Sequence, residues 1–206
     1  MQNKTTSFEI TSDFNLYTKA FLEENLKHNL ISKNDEKFLW EKHIYDSLAI
    51  KLFFKKYEIN NVKILDIGCG GGFPCVPIAI EFTDNEIVGI DSIRKKISSV
   101  QTIIDKLKLK NIKLISDRVE NLKNQKYDIV ISRAVASMAK ISQYALPLVK
   151  KNGFFIAYKS KKALEELDDA KQIIKSLGGE LADIIEYTLP LEEIYERNLV
   201  CIKKVK

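Results

Sequence analysis

A glycine-rich loop that follows a short apolar run is the first feature of this chain that could do chemistry. Residues 62–77 read VKILDIGCGGGFPCVP, with four glycines in five positions and apolar residues on both sides. This pattern predicts a buried strand, a tight turn and a helix. Glycine allows the positive φ that such a turn needs, and its missing Cβ lets the backbone approach a ligand. The loop is predicted to hold a nucleotide-like ligand, with a tight turn that binds nothing as the alternative.

The spacing of the glycines separates two classes of ligand. A dinucleotide fingerprint requires glycine at positions 68, 70 and 73, but residue 73 is Phe. The pattern Asp66-x-Gly68-x-Gly70-x-Gly72 instead resembles the first motif of Rossmann-like methyltransferases that use S-adenosylmethionine (SAM). In that interpretation the Asp66 carboxylate meets the ammonium group of the cofactor.

A second acidic residue strengthens this hypothesis. Residues 86–91, EIVGID, are predicted to form the next strand, and Asp91 follows the glycine loop at close to the ~20-residue spacing of a ribose-binding acid. A carboxylate there can accept hydrogen bonds from both ribose hydroxyls. Asp91 is therefore predicted to bind the cofactor ribose.

Two further groups of polar residues have both a functional and a structural interpretation. Arg133 ends a predicted central strand, where a guanidinium is costly to desolvate without an anion, so either a ligand or an internal salt bridge satisfies it. His43, Asp46 and Ser47 share one surface of a predicted helix. They either present polar groups toward a site or form a solvated helix face.

Composition places the chain among soluble globular proteins. It has 206 residues, a net charge of +5, 45% hydrophobic and 30% charged residues, and no apolar segment near the ~20 residues that span a bilayer. The polar start MQNKTTS argues against export, so a cytoplasmic location is expected. Three cysteines and two distant histidines lack metal-ligand spacing, which predicts reduced thiols and no metal.

The remaining pattern predicts one α/β domain over residues 1–206, with a helical extension at 1–55 and a SAM-binding core at 60–206. Two amphipathic helices, at 12–30 and from about 34 to 52, precede the glycine loop. Their apolar faces are predicted at Leu16, Ala20, Leu22, Leu26 and Leu30, and at Phe38, Trp40, Ile44, Leu48 and Leu52.

Strands and helices alternate after the loop. Further strands are predicted at 112–116, 127–132, 154–158, 180–189 and 198–205, and helices at 92–110, 137–150 and 160–177, with 191–196 as a hairpin loop. Ile93 is among the residues of helix 92–110 predicted to face the sheet. The fold class is Rossmann-like: a mostly parallel seven-stranded sheet with helices on both faces and an antiparallel end.

Several separated motifs can be compared with known families. They are Trp40, His43-Ile44 and Asp46-Ser47; the loop continuing as Phe73-Pro74-x-x-Pro77; Arg118-Val119-Glu120; Ser132-Arg133-Ala134; Leu146-Pro147-Leu148; and Arg197-Asn198-Leu199-Val200. Together they resemble the bacterial small-subunit (16S) rRNA guanine-N7 methyltransferase family, RsmG or GidB. Cys69 and Cys75 depart from the family pattern, which commonly has a small hydroxyl residue and a glycine at these positions.

The resemblance implies a SAM-dependent enzyme that methylates N7 of one guanine in 16S rRNA, expected to be guanine 527. It implies SAM contacts at Gly68, Phe73, Val119, Glu120 and Arg133. The partner is 16S rRNA, in the small ribosomal subunit or its assembly intermediates, and the protein is expected to be a monomer that does not bind membranes.

Guanine N7 carries an in-plane lone pair, so no proton has to be removed before attack on the methyl group. We therefore assign no catalytic base, and expect positioning to drive the reaction. The predicted RNA contacts are His43, Asp46, Arg94, Lys95, Lys159 and Arg197. Two other classes stay open at this point: an NAD-dependent oxidoreductase, whose fingerprint Phe73 interrupts, and a non-catalytic RNA-binding assembly factor, which has no need of Asp91.

Overall fold

One sheet of seven strands organises the protein in the computed structural model, which describes residues 8–122 and 124–206. The strands are β1 (Lys63–Ile67), β2 (Glu86–Asp91), β3 (Ile112–Ser116), β4 (Tyr127–Arg133), β5 (Val149–Ser160), β6 (Gly179–Leu189) and β7 (Tyr195–Lys204). Their order is β3-β2-β1-β4-β5-β7-β6. Strands β1 to β5 are parallel, whereas β7 is antiparallel to β5 and β6. The predicted Rossmann-like α/β class with an antiparallel end is confirmed.

Helices cover both faces of the sheet. Before β1 come α1 (Asn15–His28), α2 (Lys33–Glu36), a π-helix (Leu39–Tyr45), α3 (Asp46–Leu48) and α4 (Ile50–Tyr57). The later helices are α5 (Cys75–Glu81), α6 (Arg94–Leu107), α7 (Met138–Ala145) and α8 (Ala163–Ser176), with 3-10 turns at Val119–Asn121 and Leu146–Leu148. The N-terminal helices pack with α5 and α6 in one hydrophobic cluster, and α7 and α8 belong to the cluster on the opposite face. The central strands are buried on both sides, which explains their continuous apolar runs.

Helix α1 forms where the sequence predicted it, but only part of the predicted apolar face is buried, at Ala20 and Leu30. Leu16 and Leu26 are 59% and 74% exposed, so that part of the prediction is wrong. The buried side carries Tyr17 and Phe21, whose rings lie 6.2 and 5.0 Å from the ring of Phe73 between centroids. Aromatic rings bury more apolar surface than leucine, so they set the rotation of the helix.

The helix predicted from about 34 to 52 is divided into short segments around a π-helix. Ile44 and Leu48 are buried as predicted, but Trp40 is 41% exposed. A π turn holds more residues than an α turn, so it changes which side chains face inward. Asp46 and Ser47 are fully buried as a result. The solvated helix face that the sequence left open is therefore wrong for these two residues.

Other differences are shifts of element boundaries. Strand β5 begins at Val149 instead of residue 154, and β7 begins at Tyr195 instead of 198, which shortens the loop predicted at 191–196. Ile93 precedes α6 and is 49% exposed, so it does not face the sheet. Across residues 8–122 and 124–206, every helix is too short or too polar to cross a membrane. The polar residues 1–7, on which the expectation about export depends, lie outside the described range.

Candidate active site

The glycine loop is fixed to the end of β2 by main-chain and side-chain hydrogen bonds. Gly68 and Gly70 have φ of +72° and +52°, in the left-handed region that favours glycine. The N–H of Gly68 donates to the carbonyl oxygen of Ile90 at 2.8 Å. Asp91 accepts from the N–H of Gly70 through Oδ2 at 2.9 Å and from the N–H of Ile93 through Oδ1 at 2.8 Å. The structure therefore brings Asp91 to the glycine loop, as the spacing predicted.

The open ends of the neighbouring strands complete this crevice. Ile67 pairs with Ser132, so Arg133 at the end of β4 lies next to Gly68. On the other side Asp91 pairs with Ser116, and the 3-10 turn that starts at Val119 follows. Glu120 in this turn is exposed. These residues lie at the carboxyl ends of adjacent parallel strands, where ligands bind in open α/β sheets. Their direct contact with the cofactor stays a prediction.

Asp66 is enclosed beneath the loop instead of lying on an open surface. Its Oδ2 accepts from the N–H of Cys75 at 3.1 Å, and its Oδ1 has no hydrogen-bond partner among the described residues. Burial raises the pKa of Asp66 to about 7. A buried acceptor without a protein partner fits the ammonium group of a SAM cofactor, and the glycine turn beside it leaves Gly70 with open space where a Cβ would stand. The ammonium contact itself stays a prediction.

The raised pKa of Asp66 leads to a testable pH dependence. The folded state keeps a proton that the unfolded chain releases above its pKa of 3.8. The contribution of this proton to the free energy of unfolding is fully present below the unfolded-state pKa of 3.8. It is lost as the pH rises through the folded-state pKa of about 7. Asp66→Asn retains an oxygen acceptor for Cys75 but cannot ionise. Relative to this variant, the wild-type free energy of unfolding should fall by up to about 1.4 kcal/mol per pH unit between these values.

Urea unfolding of the cofactor-free protein at about pH 5 and about pH 8 measures this difference. Asp105→Asn, at an exposed position of α6, serves as the matched control for an Asp-to-Asn change. A difference between wild type and Asp66→Asn that stays constant with pH would show that Asp66 is ionised in the fold.

The side chain of Phe73 is buried in an aromatic cluster. It is 5% exposed and contacts the rings of Phe21 and His43, each at 5.0 Å between centroids. The guanidinium of Arg133 lies 5.2 Å from the centroid of the same ring, in cation–π geometry. The side chain of Phe73 is therefore used for packing, and the predicted SAM contact at this residue is left to its main chain.

The main feature that the sequence did not predict is a buried ionic network centred on Asp46. The Asp46 carboxylate is fully buried. Its Oδ2 accepts hydrogen bonds from Arg133 Nη1 at 2.9 Å and from Arg197 Nη2 at 3.2 Å. Its Oδ1 accepts from the hydroxyl of Tyr187 at 2.7 Å. Asp46 thus joins the N-terminal helices to β4, β6 and β7. Direct contact of Asp46 with RNA, as predicted, is not compatible with this enclosure, and the internal salt bridge considered for Arg133 is present.

His43 belongs to the same network and its hydrogen bonding defines its tautomer. Its Nδ1 lies 3.3 Å from Arg133 Nη2. A guanidinium only donates hydrogen bonds, so Nδ1 accepts and the proton of the neutral ring is on Nε2. Burial and the positive charge of Arg133 lower the pKa of His43 to about 4, which keeps the ring neutral near pH 7. Nε2 is buried without a hydrogen-bond partner in the described part of the chain.

Lys159 holds the loop after β4 instead of facing solvent. Its side chain is 11% exposed, and Nζ donates to the carbonyl oxygen of Ala136 at 2.8 Å and to Glu166 Oε2 at 2.6 Å. Nζ is thus used within the protein, and contact of Lys159 with RNA stays a prediction. Arg94 and Lys95, in contrast, are exposed in the first turn of α6, close to Asp91 in the chain. Their contact with RNA stays a prediction.

The two cysteines that depart from the family pattern fill space behind the loop. Cys69 and Cys75 are buried, and their Sγ atoms lie 3.1 and 3.2 Å from where a Cβ on Gly89 would stand. Gly89 in β2 thus leaves room for both thiols. Burial raises the pKa of the Cys75 thiol, so it is protonated and a poor nucleophile near pH 7.

Solved structures share this arrangement of strands and helices. Magnesium protoporphyrin IX methyltransferase from Synechocystis PCC 6803, with bound SAH, is 14% identical with a TM-score of 0.63, covering 93% of this chain and 95% of that chain. M. jannaschii TYW2 in complex with AdoMet is 16% identical with a TM-score of 0.58, covering 76% of each. These TM-scores establish the shared fold. Together with the glycine loop and Asp91, this fold defines a SAM-dependent methyltransferase of the Rossmann-like class.

Sequence relatives identify the family. The GidB family, described as rRNA small subunit methyltransferase G, matches residues 10–198. Ribosomal RNA small subunit methyltransferase G of Bacillus subtilis (strain 168) is 40% identical over 198 residues, 94% of this chain and 82% of that protein. The protein of that name from Lachnoclostridium phytofermentans is 39% identical over 199 residues, 94% and 81%. The chain belongs to the GidB family, which decides against the oxidoreductase and the non-catalytic assembly factor.

Proposed function

We propose that this protein transfers the methyl group of SAM to N7 of one guanine in 16S rRNA, expected to be guanine 527. Family membership supports a ribosomal RNA substrate. The observation that carries the proposal is the geometry at the ends of β1, β2 and β4, where Asp91 fixes a glycine loop beside Arg133. We further propose that residues 1–55 and 60–206 act as one domain, because Asp46 of the N-terminal helices binds arginines of two core strands. We also propose that the protein acts as a monomer.

The chemistry requires little beyond alignment. Bound SAM supplies a methyl group that is already electrophilic, and guanine N7 supplies an unprotonated lone pair. The protein has to hold the two in line, and such positioning can be worth an effective molarity of roughly 10⁵–10⁸ M. In this proposal Asp91 binds the ribose, Val119 and Glu120 border the base of the cofactor, and Arg133 lies at the methionine end. None of these residues has to remove a proton.

The accessibility of N7 restricts the form of the RNA. A-form helices hide the major-groove edge on which N7 lies, so a protein reaches it in a single-stranded or distorted segment. We propose that the substrate is 16S rRNA within the small subunit or an assembly intermediate. The proposed activity belongs to the cytoplasm, where bacterial ribosomal subunits are assembled.

Product analysis tests the proposal. The protein is incubated with methyl-labelled SAM and small subunits that lack the modification, and the rRNA is digested to nucleosides. Label in 7-methylguanosine from a single position is the expected result. Label in another nucleoside, or in ribosomal protein only, would overturn the proposed acceptor.

The ribose-binding role of Asp91 gives a second prediction. Asp91→Ala should weaken SAM binding by about 1–3 kcal/mol, because charged hydrogen bonds to the ribose are lost and the loop N–H of Gly70 loses its partner. Isothermal calorimetry measures the affinity, with Asp105→Ala on the exposed face of α6 as the control. An unchanged SAM affinity in a folded Asp91→Ala protein would remove Asp91 from the site.

A further inference from the structure

A small pocket next to the crevice has the chemistry of a nucleotide-binding site. It has a volume of about 210 Å³, and Arg133, Arg197, Lys42, His43, Leu189 and Tyr195 are among its lining residues. This volume is below the ~300–1,000 Å³ of pockets that enclose a drug-sized ligand, so it has room for one base-sized group. Arg133 lines it and also lies next to Gly68 of the cofactor loop. The pocket therefore opens where an acceptor has to approach the cofactor.

Charge favours an electron-rich occupant. Among the described residues, the guanidiniums of Arg133 and Arg197 share one carboxylate, Asp46, so this ionic network has a net positive charge in a partly buried wall. Lys42 and Asp35, which both line the pocket, lie 3.7 Å apart and balance each other. A phosphate or the acceptor atoms of a base satisfy such a wall, because arginine and lysine bind both.

Tyr195 supplies a stacking surface. Its side chain is 47% exposed at the start of β7, and the guanidinium of Arg197 lies 5.9 Å from its ring centroid. Proteins that bind single-stranded RNA combine exposed aromatic rings with cations in this way. The Nε2–H of His43 has no hydrogen-bond partner among the described residues, but it is buried and does not face the open part of the pocket, so Tyr195 is the residue that favours a base as the occupant.

We propose that this pocket receives the target nucleotide of the RNA, with its base stacked on Tyr195 and its phosphate bound by Arg197 and Lys42. The inference depends on the proposed function and adds the place where the acceptor sits. Leu189 and Ala134 form the apolar remainder of the wall. Entry of the base requires that it leaves its stack in the RNA, which agrees with a single-stranded or distorted target.

A fluorescent base tests the pocket without the need for turnover. A model RNA carries 2-aminopurine at the target position, and its emission is recorded as protein is added. Wild type and Tyr195→Phe are expected to change the emission as the base stacks in the pocket. Tyr195→Ala should weaken binding of this RNA by about five- to 150-fold, the effect of losing one base–aromatic stack. Ile194→Ala, at the neighbouring residue that is 69% exposed, should match wild type.

The outcomes separate the two proposals. SAM affinity and formation of 7-methylguanosine from an unmodified RNA are measured on the same proteins. If wild type forms this product but Tyr195→Ala behaves as Ile194→Ala does in both assays, the pocket proposal is overturned and the proposed function stands. If wild type binds SAM and changes the emission, and Tyr195→Ala weakens binding while Ile194→Ala does not, but wild type forms no 7-methylguanosine, the pocket stands and the acceptor is wrong. The absence of any emission change with wild type also overturns the pocket.

Discussion

Replacing Asp46 with Asn is expected to destabilise the protein by about 3–5 kcal/mol, the usual effect of removing one partner from a buried ion pair. Asparagine keeps the shape and can still accept from Tyr187, but it removes the carboxylate that Arg133 and Arg197 share. Their side chains are 11% and 18% exposed, so water compensates little of the remaining positive charge. Urea or thermal unfolding measures the loss.

Two further variants separate charge balance from other effects of the substitution. Asp46→Asn combined with Arg197→Met removes one charge of each sign and should recover part of the lost stability. Asp35→Asn changes a 39% exposed carboxylate 3.7 Å from Lys42 and should cost less than about 1 kcal/mol. If Asp46→Asn loses no more stability than Asp35→Asn, the network does not hold the N-terminal helices to the core.

Replacing Arg133 with Met is expected to affect ligand binding far more than stability. Asp46 keeps Arg197 and Tyr187, so its charge remains balanced by one guanidinium. In the proposed site Arg133 also donates to the cofactor, and the loss of such a charged hydrogen bond is worth about 1.5–3 kcal/mol, or about 10- to 150-fold in affinity or turnover. Calorimetry with SAM and single-turnover methyl transfer provide the measurements.

Arg197→Met is the matched control for this experiment. It also leaves one guanidinium on Asp46, but β7 lies two strands away from β4, so SAM affinity should stay at the wild-type value. Equal loss of SAM affinity in both variants would show that the effect passes through the shared network. A mainly unfolded Arg133→Met protein with normal affinity in its folded fraction would assign Arg133 to the fold alone.

Local pattern was sufficient to predict the sheet and the glycine loop. Strands buried on both faces need continuous apolar runs, and the turn after β1 needs glycine where φ is positive, so both leave a signal within a few residues. Asp91 was found because the length of one crossover helix fixes its distance from the loop in the chain.

The partners of Asp46 could not be predicted in this way. They are 87, 141 and 151 residues away in the chain, at Arg133, Tyr187 and Arg197, and no periodicity records which distant strands meet. Its setting in the apolar run IYDSLAI was the available signal, because an acid at such a position needs a buried partner. The sequence pattern did not indicate the π-helix either. This helix turns Asp46 and Ser47 inward, while Trp40 is exposed.

The acceptor atom is tested most directly by a target RNA with 7-deazaguanine at the position to be modified. This base carries C–H in place of N7 and keeps the Watson–Crick edge, so only the lone pair is removed. Binding should change little, since one acceptor is worth about 1 kcal/mol against many phosphate contacts. Transfer of label from SAM should be absent, while the same RNA with guanine is methylated. Continued transfer of label to the 7-deaza nucleotide would contradict attack by guanine N7.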